Sequence, residues 1–514
     1  MINIVGAGLA GLSAAITLAK DGKKCSLISK QPSERAQSVL AEGGINAALD
    51  TMGEHDTPQE HFEDTMRGGC YLADEEAVRG LTENAPEILN WLLKLGAGLN
   101  MQGDKPLLRN FGGQKKKRTA FAKSSTGKII MTALIDEARK YEVSGLITRY
   151  PHHELIGLQV RDETCYGCVL HDEYTDKNIC LEGAVILASG GLNGFFDGLT
   201  TGTTQNDGSA SVLAFEKGAE MANLEFIQFH PTTIAISGKR MLITEAARGE
   251  GGRLYALLNG KKSYFMEEKY PELGNLMPRD VVSRESYLIS QRAECAGVFL
   301  DMSELKKEVW QHKLSDLRNE CIHYLALDPQ KEPIPVEPGI HYFMGGLKVD
   351  KNHQTSIKNL FAAGECAAQY HGANRLGGNS MLGAIYGGHL AAKNAPTDIK
   401  AVIDETAADG DDIYLEPKQE TQMREALVYG LGIVRGAPRL EKALEMLRGI
   451  EGYGKNARLW FAEAMLLSAL YRRESRGAHC RSDYPNRSEE FQRPTTARLT
   501  GGNSRYNERT VEIN

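Results

Sequence analysis

Several kinds of segment that would place this chain in other protein classes are missing from its 514 residues. No run of about 18 consecutive apolar residues is present, so we expect no membrane-spanning helix. The apolar stretch 2–18 contains three glycines and has no basic segment before it, which argues against a secretory signal. The formal net charge is −7 and no basic domain is evident, so nucleic acid is not expected as a partner.

The nine cysteines follow none of the spacings that bind iron–sulfur clusters or haem. An odd number of cysteines scattered through a large chain is typical of reduced thiols, and we expect a cytoplasmic protein without a metal site. Any further redox centre would then have to lie on another chain. The hydrophobic content of 41% and charged content of 25% are those of a globular protein of about three domains.

A dinucleotide-binding fingerprint opens the chain. A short apolar strand runs into a turn that contains Gly6, Gly8 and Gly11, and a helix (12–21) and a second strand (24–29) follow. The first glycine permits a tight turn, the second lets the backbone approach a pyrophosphate, and the third lets the helix pack on the strand. The second strand ends in Ser29-Lys30 instead of the acidic residue that usually holds a ribose, which weakens an NAD interpretation.

Two more apolar strands run into glycines, at 183–191 and at 359–365. Three such junctions suit FAD bound across one sheet, with Glu365 on a ribose or ribityl hydroxyl. Later in the chain, helical periodicity is found at 382–393, 418–429, 440–448 and 457–473. The acidic, glycine-containing stretch 404–412 predicts a linker.

Four cationic or protonatable residues occur in unusual local sequences: His230, Arg279, His341 and Arg375. If they converge on one pocket, they would hold a small dicarboxylate, because a guanidinium can bond both oxygens of a carboxylate in one plane. One of the four could also deliver a proton. Together with the dinucleotide fingerprint, the set predicts redox chemistry on a dicarboxylic acid.

These motifs, with the local sequences at 41–48, 229–232, 244–252, 371–380 and 474–479, resemble the flavoprotein subunit of fumarate reductase and succinate dehydrogenase. The superfamily also includes L-aspartate oxidase, and the resemblance runs from residue 1 to about 487. It implies an α/β fold with a Rossmann-like FAD-binding domain at 1–222 and 340–398. An inserted α+β capping domain at 223–339 and a C-terminal helical domain at 410–514 complete the implied organisation.

The resemblance also assigns residues to the cofactor and to the substrate. FAD would be held by Gly6, Gly8, Gly11, Ser29, Lys30, Ser38, Gly43, Gly44, Asp207, Glu365, Asn379 and Ser380. The substrate carboxylates would be bound by His230, Thr244, His341 and Arg375. Reduced FAD would supply hydride from N5 and Arg279 a proton, with Glu245 and Arg248, three residues apart on a helical turn, as a relay. The implied electron donor is an iron–sulfur subunit or a soluble donor.

Two departures from the family pattern narrow the expected reaction. Membrane-bound members carry a flavin-linking histidine where this chain has Gln37, so the FAD should be non-covalent. A covalent link raises the flavin potential in this family, and its absence disfavours succinate oxidation. Aspartate oxidases have an acidic residue at the position of Phe111, which offers a substrate ammonium no countercharge. We therefore expect reduction of fumarate or a related enoate. L-Aspartate oxidation, or a flavoprotein subunit active only with an iron–sulfur partner, are the alternatives.

Overall fold

The computed structural model describes residues 1–399, 413–501 and 509–514, so the predicted linker at 404–412 lies outside the described residues. Five parallel strands form a central sheet, in the order Leu360–Ala362, Ala184–Leu187, Ile2–Val5, Cys25–Ser29 and Ile147–Pro151. The two strands at 2–5 and 184–187 are buried along their whole length, as expected of a parallel sheet covered on both faces. The three strands that end in glycine junctions are neighbours, which confirms that these junctions share one sheet.

Helices cover this sheet, and small antiparallel elements flank it. The helices are Leu9–Lys20, Pro58–Gly68, Glu75–Lys94, Thr126–Val143, Ser209–Glu216 and Asn379–Asn394. The flanking strands are Ile45–Asn46, Leu108–Arg109 and Thr119–Ala120, the hairpin Met101–Gln102 with Lys105–Pro106, and the sheet of His153–Arg161, Thr164–Asp172 and Lys177–Glu182. Gly388 lets the last helix approach the first, because a Cβ there would overlap the backbone of Ala10.

The inserted region is α+β and has a hydrophobic core of its own. One sheet contains Lys239–Leu242, Ile227–Ile236 and Glu337–Phe343, and the other contains Lys261–Ser263, Arg253–Leu258, Cys295–Asp301 and Ile334–Pro335. Its helices are Glu245–Gly249, Phe265–Lys269, Arg279–Ser290, Lys307–His312 and Ser315–Leu325. The strand Glu337–Phe343 spans the predicted domain boundary at 339/340 and pairs with Ile227–Ile236 on both sides of it.

Helices Pro417–Gly430, Ala437–Arg448 and Ala457–Tyr471 form the C-terminal region, close to the predicted spans. The segment after them departs from the predicted helical character. Strand Cys480–Arg481 pairs with Val434–Arg435, while Thr496–Thr500 and Thr510–Ile513 join a sheet with Met221–Ala222, Gly346–Lys348 and Ala367–Ala368. Phe461 packs against Phe195 and Phe215, so the helices share a core with the flavin domain. Among the described residues, no helix has the length and apolar composition needed to cross a membrane.

Candidate active site

Backbone geometry at the ends of the central strands forms a cleft that suits a dinucleotide. Gly6 has a φ of +113°, and a Cβ on Gly11 would overlap the carbonyl oxygen of Gly6, so both positions require glycine. The Ser38 hydroxyl accepts from the N–H of Leu9 at 3.2 Å, at the start of the first helix. Close backbone approach at a helix N-terminus is what a pyrophosphate needs, and the residues present therefore fit FAD.

Unpaired hydroxyl groups add to this fit. The hydroxyls of Ser29 and Ser189 are buried and have no hydrogen-bond partner in the described parts of the chain. Buried polar groups normally have partners, so two such hydroxyls at the ends of the two strands that flank Ile2–Val5 are suited to a polar cofactor. Ser29 was predicted from the sequence, whereas Ser189 was quoted only as part of a glycine junction.

Two carboxylates form ion pairs with Lys30, the residue that follows the second strand. The Lys30 ammonium lies 2.9 Å from Asp207 and also forms an ion pair with Glu154. Burial would lower the pKa of Lys30, but Asp207 and Glu154 outweigh it and the pKa is raised. Arg458, on a C-terminal helix, donates to the backbone carbonyl of Asp207 at 3.0 Å. Sequence reasoning found Lys30 and Asp207 but missed Glu154, which comes from a neighbouring antiparallel sheet.

Glu365 lies at the third glycine junction, where Gly364 has a φ of +79°. Its carboxylate accepts from the N–H of Phe343 at 3.0 Å. Burial raises the pKa of Glu365 to about 7, although the Phe343 N–H and the charge of Arg375 act in the opposite direction. Near neutral pH the carboxyl group can therefore accept a hydrogen bond from a sugar hydroxyl or donate one to it.

The side chain of Asn379, which was predicted to bind FAD, is hydrogen-bonded to other side chains of the protein. Its Oδ1 accepts from Asn46 Nδ2 at 2.7 Å and pairs with His61 Nε2 at 2.9 Å, and its Nδ2 donates to Thr65 at 3.0 Å. The side chain thus makes three contacts within the protein, and the backbone N–H of Asn379 donates to the carbonyl of Leu376 at 3.3 Å. Ser380, in the first turn of the same helix, is half-buried.

The segment from Gln37 to Gly44 lies between the cofactor cleft and the second cluster of predicted residues. Gln37 Oε1 accepts from the N–H of Thr203 at 2.6 Å, so its amide is held by a loop of the flavin domain. A Cβ on Gly43 would lie 3.1 Å from the Phe111 ring, and Gly44 has a φ of +141°. Phe111 is buried and therefore forms an apolar wall beside this glycine pair.

The second cluster is charged and buried, and Arg279 is at its centre. Arg279 is the first residue of its helix, and its Nε and one terminal nitrogen donate to Glu245 Oε2 at 2.8 and 2.6 Å. Glu245 also accepts from the Gly112 N–H at 3.2 Å and lies 3.4 Å from Arg248. Burial raises the pKa of Glu245, but Arg279 and Arg248 outweigh it and the net shift is downward. A continuous chain of contacts thus joins Arg279, Glu245 and Arg248.

Gln228, which sequence reasoning missed, links the two principal arginines. Its Oε1 accepts from Arg279 at 3.1 Å and from Arg375 at 3.0 Å, and its Nε2 donates to Asn374 at 2.9 Å. Arg375 lies with its guanidinium carbon 4.2 Å from the centre of the Tyr342 ring. Burial and the charge of Arg279 lower the pKa of Arg375 to about 9. The sequence position of Gln228 could have indicated this role, because Gln228 lies two residues before His230 in a strand and alternate residues of a strand share a face.

The two histidines lie together, with ring centroids 5.1 Å apart. Burial and the charge of Arg279 hold the pKa of each well below its usual range, so both are neutral at physiological pH. His230 Nε2 is buried and unpaired in the part of the chain that the structure describes. Thr244 is buried and caps the helix that begins at Glu245, accepting from the Ala246 N–H at 3.4 Å.

The charges of this cluster do not balance. Three guanidinium groups contact or face a single ionised carboxylate, and the acceptor shared by Arg279 and Arg375 is the neutral amide of Gln228. About two positive charges are therefore left without a counterion. Glu365 offsets only part of one of them near pH 7, because burial raises its pKa to about 7. Because buried unpaired charge is costly, the cluster is complementary to a small ligand with two negative charges.

Comparisons with known proteins agree with this geometry. Residues 2–381 match the FAD binding domain family, and residues 456–514 match the fumarate reductase flavoprotein C-terminal family. The succinate dehydrogenase flavoprotein subunit of Bacillus subtilis is 37% identical, over 96% of this chain and 93% of that protein. The L-aspartate oxidase of Streptomyces coelicolor is 30% identical, over 95% and 89%. A mutant form of E. coli quinol fumarate reductase superposes with a TM-score of 0.88 at 30% identity, over 100% and 96%.

Proposed function

Because the chain belongs to the FAD-dependent oxidoreductase family of succinate dehydrogenase and fumarate reductase flavoprotein subunits and L-aspartate oxidases, we propose that it reduces fumarate, or a closely related enoate, to the saturated dicarboxylate. The observation that carries the proposal is the excess of two buried positive charges around Gln228. A dicarboxylate brings the two missing negative charges, whereas a monocarboxylate brings only one.

Each residue of the cluster then has a role. Arg375, His230 and His341, joined by Thr244, bind the two carboxylates, and the neutral histidines do so as hydrogen-bond donors. When bound and reduced, FAD supplies the hydride. Arg279 donates the proton to the adjacent carbon. Its position at the start of a helix and its two bonds to Glu245 hold the guanidinium in one orientation for this step.

The guanidinium of arginine is a very weak acid, so it must be reprotonated quickly to act more than once. Glu245 accepts two hydrogen bonds from Arg279 and forms an ion pair with Arg248 at 3.4 Å, where the Arg248 nitrogen has no hydrogen-bond partner among the described residues. The proposed relay therefore requires this contact to shorten to hydrogen-bond length before a proton returns from Arg248 through the carboxylate.

We further propose that FAD is bound non-covalently. Gln37 stands at the flavin-linking position and its amide is held by Thr203, so no imidazole is offered to the flavin there. Acid precipitation of the purified protein should release the flavin into the supernatant. Yellow colour retained in the pellet would show a covalent link and contradict this part of the proposal.

L-Aspartate oxidase is the second candidate, since a protein of that name is 30% identical over 95% of this chain. Its substrate carries an ammonium group, which would need an anionic partner in the pocket. The carboxylate of Glu245 is already shared by two arginines, and Phe111 provides an apolar wall where a countercharge would be useful. These contacts favour fumarate over L-aspartate.

A third candidate is a flavoprotein subunit that works only with an iron–sulfur partner. This candidate is motivated by the relative that is 37% identical, which is a flavoprotein subunit of a succinate dehydrogenase. Pull-down of the tagged chain from its own cells should then recover a cysteine-rich protein in stoichiometric amount, and the isolated chain should be inactive even with an artificial donor. Turnover by the isolated chain would exclude this candidate.

The proposed reaction is tested by anaerobic oxidation of reduced methyl viologen. Fumarate should support turnover, and a monocarboxylate enoate such as crotonate should support much less. In air, L-aspartate should yield no hydrogen peroxide above the background. Peroxide formation from L-aspartate without viologen oxidation by fumarate would overturn the proposal in favour of the oxidase.

A further inference from the structure

A neutral histidine can donate a hydrogen bond from only one of its two ring nitrogens. Burial, with Arg279 and Arg375 nearby, keeps His341 neutral. Its usefulness for binding an anion therefore depends on which nitrogen carries the proton. A proton on Nε2 leaves a donor for the ligand on the side of the ring away from Nδ1, and a proton on Nδ1 leaves a lone pair there, which repels a carboxylate.

The contacts of Nδ1 decide this question for His341. Thr201 Oγ1 lies 2.8 Å from Nδ1, a distance typical of a good hydrogen bond. Among the described residues, the other acceptor within reach of that hydroxyl is the carbonyl of Ile340, which is 3.5 Å away and also accepts from the Thr201 N–H at 2.9 Å. The hydroxyl proton is therefore best placed on Nδ1, and the ring proton belongs on Nε2.

His230 shows that this arrangement is specific. Its Nδ1 lies 3.3 Å from the N–H of Thr232, a donor, and 3.2 Å from the carbonyl of the same residue, an acceptor. The Thr232 hydroxyl, also at 3.3 Å, uses its proton on the carbonyl of Ile243 at 2.8 Å. The surroundings of His230 thus leave both tautomers open, whereas those of His341 favour one.

We propose that Thr201 is a positioning residue for the reaction: its hydroxyl donates to Nδ1 of His341 and so keeps Nε2–H available as a donor to the substrate carboxylate. The inference rests on the proposed function for the identity of the ligand. The tautomer itself does not depend on that identity.

Backbone contacts hold the Thr201 loop independently of the hydroxyl, which makes a clean substitution possible. The Thr201 N–H donates to Ile340, and the Thr203 N–H donates to Gln37 at 2.6 Å. Gly202 is held by its N–H, which donates to the Thr200 hydroxyl at 3.0 Å. Thr201→Val should therefore keep the shape and position of the loop and remove only the hydroxyl donor.

The test combines nitrogen NMR with steady-state kinetics on the flavin-loaded protein. With ¹⁵N-labelled histidine, the His341 signals are assigned by their loss in His341→Gln. They should show a protonated Nε2 in the wild type and in Thr201→Ser, and a shift toward protonated Nδ1 in Thr201→Val. The KM for fumarate should rise about fivefold to tenfold in Thr201→Val, with a smaller change in kcat, and Thr201→Ser should restore it.

Thr203→Val is the matched control, because its hydroxyl accepts from Gln205 at 3.3 Å in the same loop. It should change neither the His341 signals nor the KM. Protonated Nδ1 in the wild type, or a KM in Thr201→Val equal to that of the control, would overturn the proposal. If no variant turns over fumarate but the His341 tautomer still depends on Thr201, the proposed function fails and the assignment of Thr201 stands.

Discussion

The cofactor cleft is formed mainly by backbone, whereas the charged cluster around Arg279 is formed by long side chains. In the cleft, glycines at the ends of three neighbouring parallel strands bring backbone close to backbone, as Gly6 and Gly11 show. In the cluster, long side chains from both the flavin domain and the inserted region meet, with Arg375 from one and Arg279 from the other. An extended cofactor needs space and N–H groups, whereas a small dianion needs fixed charge.

The two regions also differ in how much the protein is destabilised when no ligand is bound. In the cleft, groups without a hydrogen-bond partner among the described residues are neutral, such as the Ser29 hydroxyl. In the cluster, burial and the charge of Arg279 lower the pKa of Arg375 to about 9, and both effects persist until an anion arrives. Stability is thus given up at the cluster for binding, and the contrast can be tested by disturbing each region separately.

The largest expected effect is at the cleft, with Gly11→Ala. The added methyl group would overlap the carbonyl oxygen of Gly6, which is backbone and cannot move without opening the turn. The protein should therefore be purified without flavin or should fail to fold, as judged by the flavin absorbance per mole of protein. Gly98→Ala, where a Cβ meets nothing within 4 Å, is the control and should retain its FAD. A flavin-loaded Gly11→Ala protein would show that close approach is not what builds the cleft.

At the cluster, Arg279→Lys should lower kcat by roughly 10² or more, because lysine cannot keep the two bonds to Glu245 and still present a proton in the same place. FAD content and melting temperature should remain close to those of the wild type, which separates chemistry from folding. Arg292→Lys, just beyond the end of the same helix and exposed, serves as a control. A kcat within threefold of the wild type would remove Arg279 from the role of acid.

Gln228→Glu changes the charge of the cluster with almost no change in shape. A carboxylate between Arg279 and Arg375 would neutralise one of the two unmatched charges. The new oxygen also faces the Asn374 Oδ1 and the Arg375 carbonyl oxygen, to which the Gln228 amide donates, so the test is ligand affinity and not stability. The Kd for succinate, measured by titration calorimetry, should rise about tenfold or more. Tighter succinate binding would contradict the charge account.

The smallest expected effect is a pH dependence at the cleft. Burial raises the pKa of Glu365 from 4.5 to about 7, so folding favours its protonated form. Its contribution to stability is fully present below pH 4.5 and is lost as the pH rises through about 7. Between these values, the melting temperature of the apoprotein should fall by a few degrees more in the wild type than in Glu365→Gln, and the exposed Glu75→Gln should behave like the wild type. Parallel profiles for all three would exclude Glu365 as the cause.

The difference between the cofactor cleft and the charged cluster also explains which features could be predicted from the sequence. Each glycine junction is a local signal of a few residues, and the prediction that the three share one sheet is confirmed by the strand order. The helix predicted at 382–393 begins earlier, at Asn379, because Gly378 with a φ of +86° ends the preceding loop. Such differences at helix ends are small, since local propensity does not fix the first turn.

Residues whose role depends on distant partners were not predictable in this way. Gln228 acts through arginines 51 and 147 positions away along the chain. Glu154 reaches Lys30 from another sheet, and the strand Thr496–Thr500 pairs with Met221–Ala222 from the other end of the chain. The predicted role of Asn379 in FAD binding stays a prediction, but the structure engages its side chain with Asn46 and His61.

One measurement tests the central claim most directly, that the charged cluster serves a dicarboxylate that accepts hydride. The flavin-loaded protein is photoreduced with EDTA as the electron donor in the absence of oxygen and titrated with fumarate, while a second, oxidised sample is titrated with L-aspartate. The account predicts that fumarate restores the oxidised flavin spectrum at one equivalent and that L-aspartate leaves the oxidised spectrum unbleached. A reduced flavin that persists with fumarate, together with bleaching by L-aspartate, would contradict it.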